Sequence, residues 1–354
     1  MNFGLILCGG NPPPWQVAAP RLYQSLLSQA VLAEELGYDS VWTAEHHGTD
    51  EYFSAQFPIL AAIAARTHRI RIGTYIVILP LYHPLHVAEQ AATLDALSGG
   101  RFDLGIGQGY VVSEYAAFDI PRKERPRRME EGMAIIKGVW EQEGFEFSGK
   151  YFKVAPFSLR PKPVQPRLPM WVAGLTEKSI DRAARYGCHF AGAGAAAGAR
   201  MYDAALRRHG HDPKHFSKAA LRMVHIAETR ERAWAEAAPH IHHQMTVYTK
   251  NLDDAGDISV VIDQAVKDVV LGENGERIIS AVKNDGTVTV NGGKVILTAK
   301  ILNKVFDYAV NNTGVIKANN IVNQNGVIKI IAEGAPVINS GTLEAGKVAV
   351  NITG

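Results

Sequence analysis

From about residue 3 to residue 248 the chain alternates short apolar runs with helical segments, and that alternation most narrows what it can fold into. Phe3–Cys8, Val41–Thr43, Ile70–Ile78, Phe102–Ile106, Met170–Ala173, Cys188–Ala191 and Leu221–Ala227 read as strands. Leu22, Leu26, Ala30 and Ala33 recur at helical spacing, and helices are also expected over 57–66, 84–97, 130–140, 177–186, 200–209 and 231–248. Gly37, Gly99, Gly187 and Gly210 stand where helices should stop. Residues 145–154 read as a hairpin around Ser148-Gly149-Lys150, followed by a proline-marked connector from Pro161 to Pro169. Strand–helix repetition implies parallel strands with helical crossovers. Roughly seven units predict an α/β fold, a (β/α)8 TIM-type barrel lacking a clear eighth unit. An open doubly wound sheet is the alternative, but no Gly-x-Gly-x-x-Gly follows the first strand.

Such folds carry their sites where strands end, which draws attention to Ser40-Val41-Trp42-Thr43-Ala44-Glu45-His46-His47. Successive strand residues point to opposite faces. If the strand runs on through them, His46 and His47 do not share a pocket, which favours one working imidazole over a metal pair. On the residues alone, a hydrogen-bonded histidine at a strand end is the plainer reading.

The net charge of +2 over 354 residues gives no reason to expect nucleic acid or an acidic membrane surface. Cys8 and Cys188 lie far apart in sequence in apolar settings, so no disulfide framework is expected. No leader peptide or membrane span is expected in the opening residues, and a cytoplasmic, reduced setting is the default. Glu236, His240 and His243 share a helix face, but no second ligand set accompanies them and no metal is expected.

Several motifs in order carry a resemblance. They are Ala44-Glu45-His46-His47; Gly73-Thr74 with Val77-Ile78-Leu79-Pro80; His83-Pro84 with Ala88-Glu89; and Ser98-Gly99-Gly100-Arg101-Phe102 with Gly105-Ile106-Gly107. Pro161-Lys162-Pro163 before Met170-Trp171-Val172-Ala173-Gly174 completes the set. Over about residues 1–250 the chain resembles the bacterial luciferase-like flavin monooxygenases. The resemblance implies a β/α barrel that binds FMN at the carboxyl ends of its strands, and a reaction in which reduced FMN and oxygen act on a small organic substrate. It implies that His46 is the active-site imidazole, moving a proton during the oxygen chemistry. It places Tyr75, in a stretch where relatives carry a non-proline cis peptide, under the flavin ring. Thr176 and Ser179, opening a helix, would hold the FMN phosphate; a simple helix cap is the competing reading. Gln108 stands where luciferases carry a phosphate-contacting arginine, so charge is missing there unless Arg125 or Arg128 supplies it. Glu89 reads equally as a buried supporting carboxylate or an exposed helix residue. A separate flavin reductase is the expected partner, and a homodimer is compatible with the family. A deazaflavin-dependent oxidoreductase is the alternative activity.

After Asp254 proline falls away and Asn, Gly, Val and Ile dominate. Asn311–Ala318, Asn325–Ile330 and Asn339–Ala345 repeat a turn followed by alternating residues. Residues 1–254 are thus expected as the truncated barrel. Residues 255–354 are expected as an all-β solenoid-like segment that resembles filamentous haemagglutinin-type adhesins, joined by fusion. On that reading a non-catalytic surface protein with a remnant barrel is the rival function.

Overall fold

The computed structural model describes residues 2–174, 176–192 and 196–255 and, beyond them, the strand segments given below. The chain packs as two compact units, Met1–Gly109 with Ser113–Val224, and Tyr110–Val112 with His225–Gly354.

In chain order the first part runs β1 (Gly4–Leu7), α1 (Ala19–Glu35), β2 (Ser40–Thr43), α2 (Gln56–Ala64), β3 (Arg71–Thr74), β4 (Val77–Ile78), α3 (Pro84–Leu97), β5 (Phe102–Gly107) and α4 (Val112–Ala117). It continues with α5 (Arg125–Glu141), the antiparallel hairpin β6 (Phe145–Ser148) and β7 (Lys153–Phe157), β8 (Met170–Ala173), α6 (Glu177–Arg185), β9 (His189–Ala191) and α7 (Ala196–Arg208). The strands join in the order β1-β2-β3-β5-β8-β9, with β4 also on β5, and every pair is parallel. This is a curled parallel sheet of the barrel type, with helices as crossovers. Gly37 and Gly187 take positive φ, 82° and 56°, just after α1 and α6, a conformation that glycine adopts without steric cost.

One expected strand does not form. Leu221–Ala227 is neither strand nor helix, and the chain instead pairs one step earlier, through a bridge of Lys218 to Phe190. Val224 and Ile226 are 78% and 86% exposed. A parallel strand is held by a neighbour and by helices on its faces, and this segment is buried on neither. The seventh unit of the expected barrel is thus incomplete.

Aromatic packing joins strands of the sheet. The Trp42 indole meets Trp171 edge-on, with centroids 5.6 Å apart, and crosses Gly73, where a Cβ would lie 2.3 Å from the indole. Asp103 ties this layer down, accepting from Arg71 Nε at 2.6 Å and Trp171 Nε1 at 3.0 Å.

Buried helix carboxylates hold the loops. Glu34 of α1 accepts from the backbone N–H groups of His68, Arg69 and Ile70 at 2.9, 2.6 and 2.9 Å. Asp95 of α3 accepts from Val164 and Gln165, and Glu131 of α5 from Lys150, Tyr151 and Phe152. Arg101 complements them, donating to the carbonyls of Ala64, which ends α2, and of Thr67 and Ile70 beyond it.

In the second unit α8 (Arg230–Ala255) is followed, among the described residues, by the strands β10 (Asp257–Val266), β11 (Ser280–Asn284), β12 (Thr287–Asn291), β13 (Lys294–Ile301), β14 (Tyr308–Asn312), β15 (Val315–Asn319), β16 (Val327–Glu333), β17 (Val337–Asn339), β18 (Thr342–Ala345) and β19 (Val350–Thr353). They form three parallel ladders, β10-β13-β16-β19, β11-β14-β17 and β12-β15-β18. Within β10, Ile258–Ile262 pairs with Val295–Ala299 of β13. No described helix is long and apolar enough to cross a membrane.

Burial alone would raise the Glu34 carboxyl, but the three backbone donors outweigh it and hold it at about 2. With the unfolded value near 4.5, this stabilisation is full above that value and is lost as pH falls through it toward 2. Glu34→Gln is expected to cost about 2–3 kcal/mol at pH 7. In urea titrations the gap to the parent should narrow by about 1 kcal/mol at pH 4. A gap independent of pH would contradict this role.

Candidate active site

β2 stops at Thr43, so Glu45, His46 and His47 lie in a loop and strand alternation does not govern the two imidazoles, contrary to the expectation for a continuing strand. Glu45 is 4% exposed. It accepts from Gln56 Nε2 at 3.1 Å, Ile78 N at 3.2 Å and Tyr82 Oη at 3.0 Å. Burial, with the charge of Glu45, pushes the Tyr82 phenol above its ordinary value and keeps it a donor.

His46 and His47 have different carboxylates. His46 Nδ1 lies 2.8 Å from Glu114 Oε1, and the His47 backbone N–H donates to the same oxygen at 2.7 Å. Glu114, on α4, is 1% exposed. Its Oε2 is buried with no hydrogen-bond partner among the described residues. The His47 ring turns to Glu45, with Nε2 3.4 Å from Oε1. Burial disfavours its charged form, but the contact with Glu45 and the charges of Glu45 and Glu114 outweigh that, and the His47 pKa is raised. The family resemblance had pointed to His46; neither it nor the motif gave any sign of Glu114, 68 residues on.

The Tyr75–Ile76 peptide bond is cis. It is held by Tyr75 N donating to the Thr43 carbonyl at 2.6 Å and by Gln56 Nε2 donating to the Ile76 carbonyl at 3.0 Å. Gln56 also accepts from Thr43 Oγ1 at 2.9 Å, so one buried amide joins the ends of β2 and β3. Under this turn runs β5. A Cβ on Gly105 would lie 1.9 Å from the Thr74 carbonyl oxygen, so only glycine allows the approach.

At the next strand ends, Thr176 and Ser179 form a reciprocal capping box. Ser179 N donates to Thr176 Oγ1 at 3.3 Å, and Thr176 N donates to Ser179 Oγ at 3.0 Å. The cap reading of these hydroxyls is therefore realised in the structure. Gln108, at the end of β5, is not without a cation nearby. Arg182, on α6 and 7% exposed, brings both terminal guanidinium nitrogens to 2.9 and 3.0 Å from the Gln108 side-chain oxygen. The amide is assigned with its oxygen toward the guanidinium, because the reverse would set N–H against N–H. Arg182 Nε also meets Glu130 at 3.2 Å. Arg128, by contrast, donates to the Pro80 carbonyl and lies over the Phe152 ring. Glu89 is half-buried, its side chain 45% exposed beside His86, so it is not the buried supporting carboxylate. Glu236, from the histidine-rich helix, meets His225 and Arg232.

Gly105→Ala is expected to push the Thr74 carbonyl away and break the reciprocal Thr74 Oγ1–Gly105 backbone pair. Chemical denaturation should register a loss of about 1–3 kcal/mol; parental stability would show that the approach is not tight.

Comparison with known proteins fits this geometry. The profile of the luciferase-like monooxygenases matches residues 1–280. The oxygenase component of a flavin-dependent trigonelline monooxygenase from Acinetobacter baylyi is 31% identical over 180 residues, 49% of this chain and 49% of that protein. An F420-dependent glucose-6-phosphate dehydrogenase from Beutenbergia cavernae is 36% identical over 180 residues, 49% of this chain and 52% of that protein. The chain thus spans about half the length of the curated relatives it matches. The crystal structure of a monooxygenase from Streptomyces bottropensis superposes with a TM-score of 0.67 at 27% identity, covering 72% of this chain and 82% of that one. The expected adhesin resemblance and fusion of residues 255–354 find no support in these comparisons, and the profile match runs past residue 254 to 280. A match that takes in the whole curled sheet, and with it the Glu45–His46–His47 loop at its carboxyl end, makes the chain a member of the luciferase-like monooxygenase family.

Proposed function

We propose that residues 1–254 act as an FMN-dependent monooxygenase on a small organic substrate, in a cytoplasmic setting, with residues 255–354 a separate all-β segment. The observation that carries this reading is the order of groups along the sheet. Neighbouring strands β2, β3, β5 and β8 end, in turn, in His46, the Tyr75–Ile76 turn, Gln108 with Arg182, and the start of α6. A flavin mononucleotide has a planar ring at one end and a phosphate at the other, and this row offers an imidazole and a backbone shelf at one end and cationic donors at the other.

The residues fit the group. Arg182 provides the fixed positive charge that Gln108 lacks, and the N–H groups of Glu177 and Lys178, which open α6 ahead of the capped Ser179, precede the helix's own ladder, which suits a phosphate. Thr176 and Ser179 hold that helix start in shape through the capping box, and their hydroxyls would stand beside the phosphate. Reduced flavin, when bound, supplies the electrons for oxygen chemistry. The protein's part would be to support the ring at Tyr75, to shield it from water and to let His46 take or return a proton. A separate reductase supplies the reduced flavin, in keeping with the Acinetobacter relative being an oxygenase component.

The second reading, a deazaflavin-dependent oxidoreductase, is favoured by the Beutenbergia relative. Oxygen uptake separates the two: uptake with reduced FMN supports the monooxygenase, and substrate oxidation with deazaflavin without uptake supports the alternative. A non-catalytic surface protein has only the parallel ladders of the second unit in its favour.

His46→Ala is expected to lower turnover at least about a hundredfold and to leave FMN affinity within about threefold, as read by fluorescence quenching. Unchanged turnover would remove His46 from the reaction. Arg182→Gln is expected to weaken FMN binding at least about tenfold, and equal affinity would move the phosphate elsewhere.

A further inference from the structure

Glu114 is a carboxylate that the proposed reaction does not use directly, yet it is more deeply buried than either histidine beside it. A buried carboxylate persists only where donors compensate its lost hydration. Both of its donors come from the catalytic loop and converge on Oε1: His46 Nδ1 at 2.8 Å and the His47 backbone N–H at 2.7 Å. Glu45 has no part in this, since its own oxygens serve Gln56, Ile78, Tyr82 and the His47 ring.

We propose that Glu114 is the positioning residue of His46, holding the ring hydrogen on Nδ1 so that Nε2, on the far side of the ring from Glu114, carries the lone pair. A carboxylate oxygen only accepts, so the Nδ1 that meets it carries the hydrogen, and in the neutral ring the other nitrogen is the base. The His47 N–H demands an acceptor at the same point. This makes a specific difference between substitutions: glutamine at 114 would be turned by the His47 amide so that its oxygen replaces Oε1, and the ring form would survive. Leucine, with no acceptor, would leave the ring unrestrained and the His47 N–H unmatched.

The catalytic consequence rests on the monooxygenase reading; the ring form does not. Nitrogen NMR of the full chain labelled at histidine, with His46 assigned through His46→Asn, reads the ring form with no cofactor present. In the parent the hydrogen is expected on Nδ1; a hydrogen on Nε2 overturns the proposal. Glu114→Leu is expected to move the hydrogen to Nε2, the form that an unrestrained imidazole favours. It should also lower kcat about a hundredfold while KM and FMN affinity change less than about threefold. Glu114→Gln is expected to keep the hydrogen on Nδ1 and to recover kcat to within about tenfold of the parent. A leucine variant with the parental ring form and turnover overturns the proposal, as does a glutamine variant as slow as leucine despite the parental ring form. If the leucine variant does not fold, the parent and the glutamine variant decide. A parent that binds no flavin would end the monooxygenase reading and leave the ring measurement to stand by itself.

Discussion

Buried carboxylates taking backbone N–H groups from loops are the interaction on which the first unit depends. Glu34, Asp95 and Glu131 project from α1, α3 and α5 and each gathers amides from a segment that neither helix nor sheet satisfies. An unmatched buried amide and an unmatched buried carboxylate are each costly; joined, they satisfy each other and fix a loop against a helix. The same device recurs at the candidate site. Glu45 takes the amide of Ile78, and Glu114 that of His47. The loops that carry the chemistry are therefore held by the same means as the loops that only connect, with the difference that Glu45 and Glu114 also meet imidazoles.

The order of the strands then sets what the site can do. Because β2, β3, β5 and β8 are neighbours, groups far apart in sequence stand in one row at the carboxyl ends. The row is compact because Gly73 and Gly105 let Trp42 and the Thr74 carbonyl close on them. Gln56 spans the first gap in the row, touching Thr43, Glu45 and the Ile76 carbonyl. Arg182 spans the last, reaching from α6 to Gln108.

Much of this was legible in the sequence, for identifiable reasons. Strand–helix alternation and the glycines at 37 and 187 reflect backbone geometry that side-chain pattern reports directly. The strand expected over Leu221–Ala227 failed because an apolar run states only that a segment can be buried, not that a neighbour exists to pair with it. The Glu45-His46-His47 stretch stood out because it follows a strand, and the family resemblance singled out His46 within it. Glu114 and Arg182 did not, since their roles arise from contacts across long separations, and an acidic residue or arginine on a helix usually faces solvent. Gln108 looked like a loss of charge because the compensating cation comes from another element. Thr176 and Ser179 read as cap or phosphate site, and the same geometry, a helix start whose first amides precede the helix's own ladder, underlies both readings.

Flavin binding by the full chain tests the central claim most directly. FMN fluorescence would be titrated with protein, and a melting curve taken on the same sample. The account predicts saturable, micromolar quenching by a chain that melts cooperatively. A cooperatively folded chain that leaves FMN fluorescence unchanged would contradict it, because the row of groups along β2, β3, β5 and β8 would then be intact and yet not a flavin site.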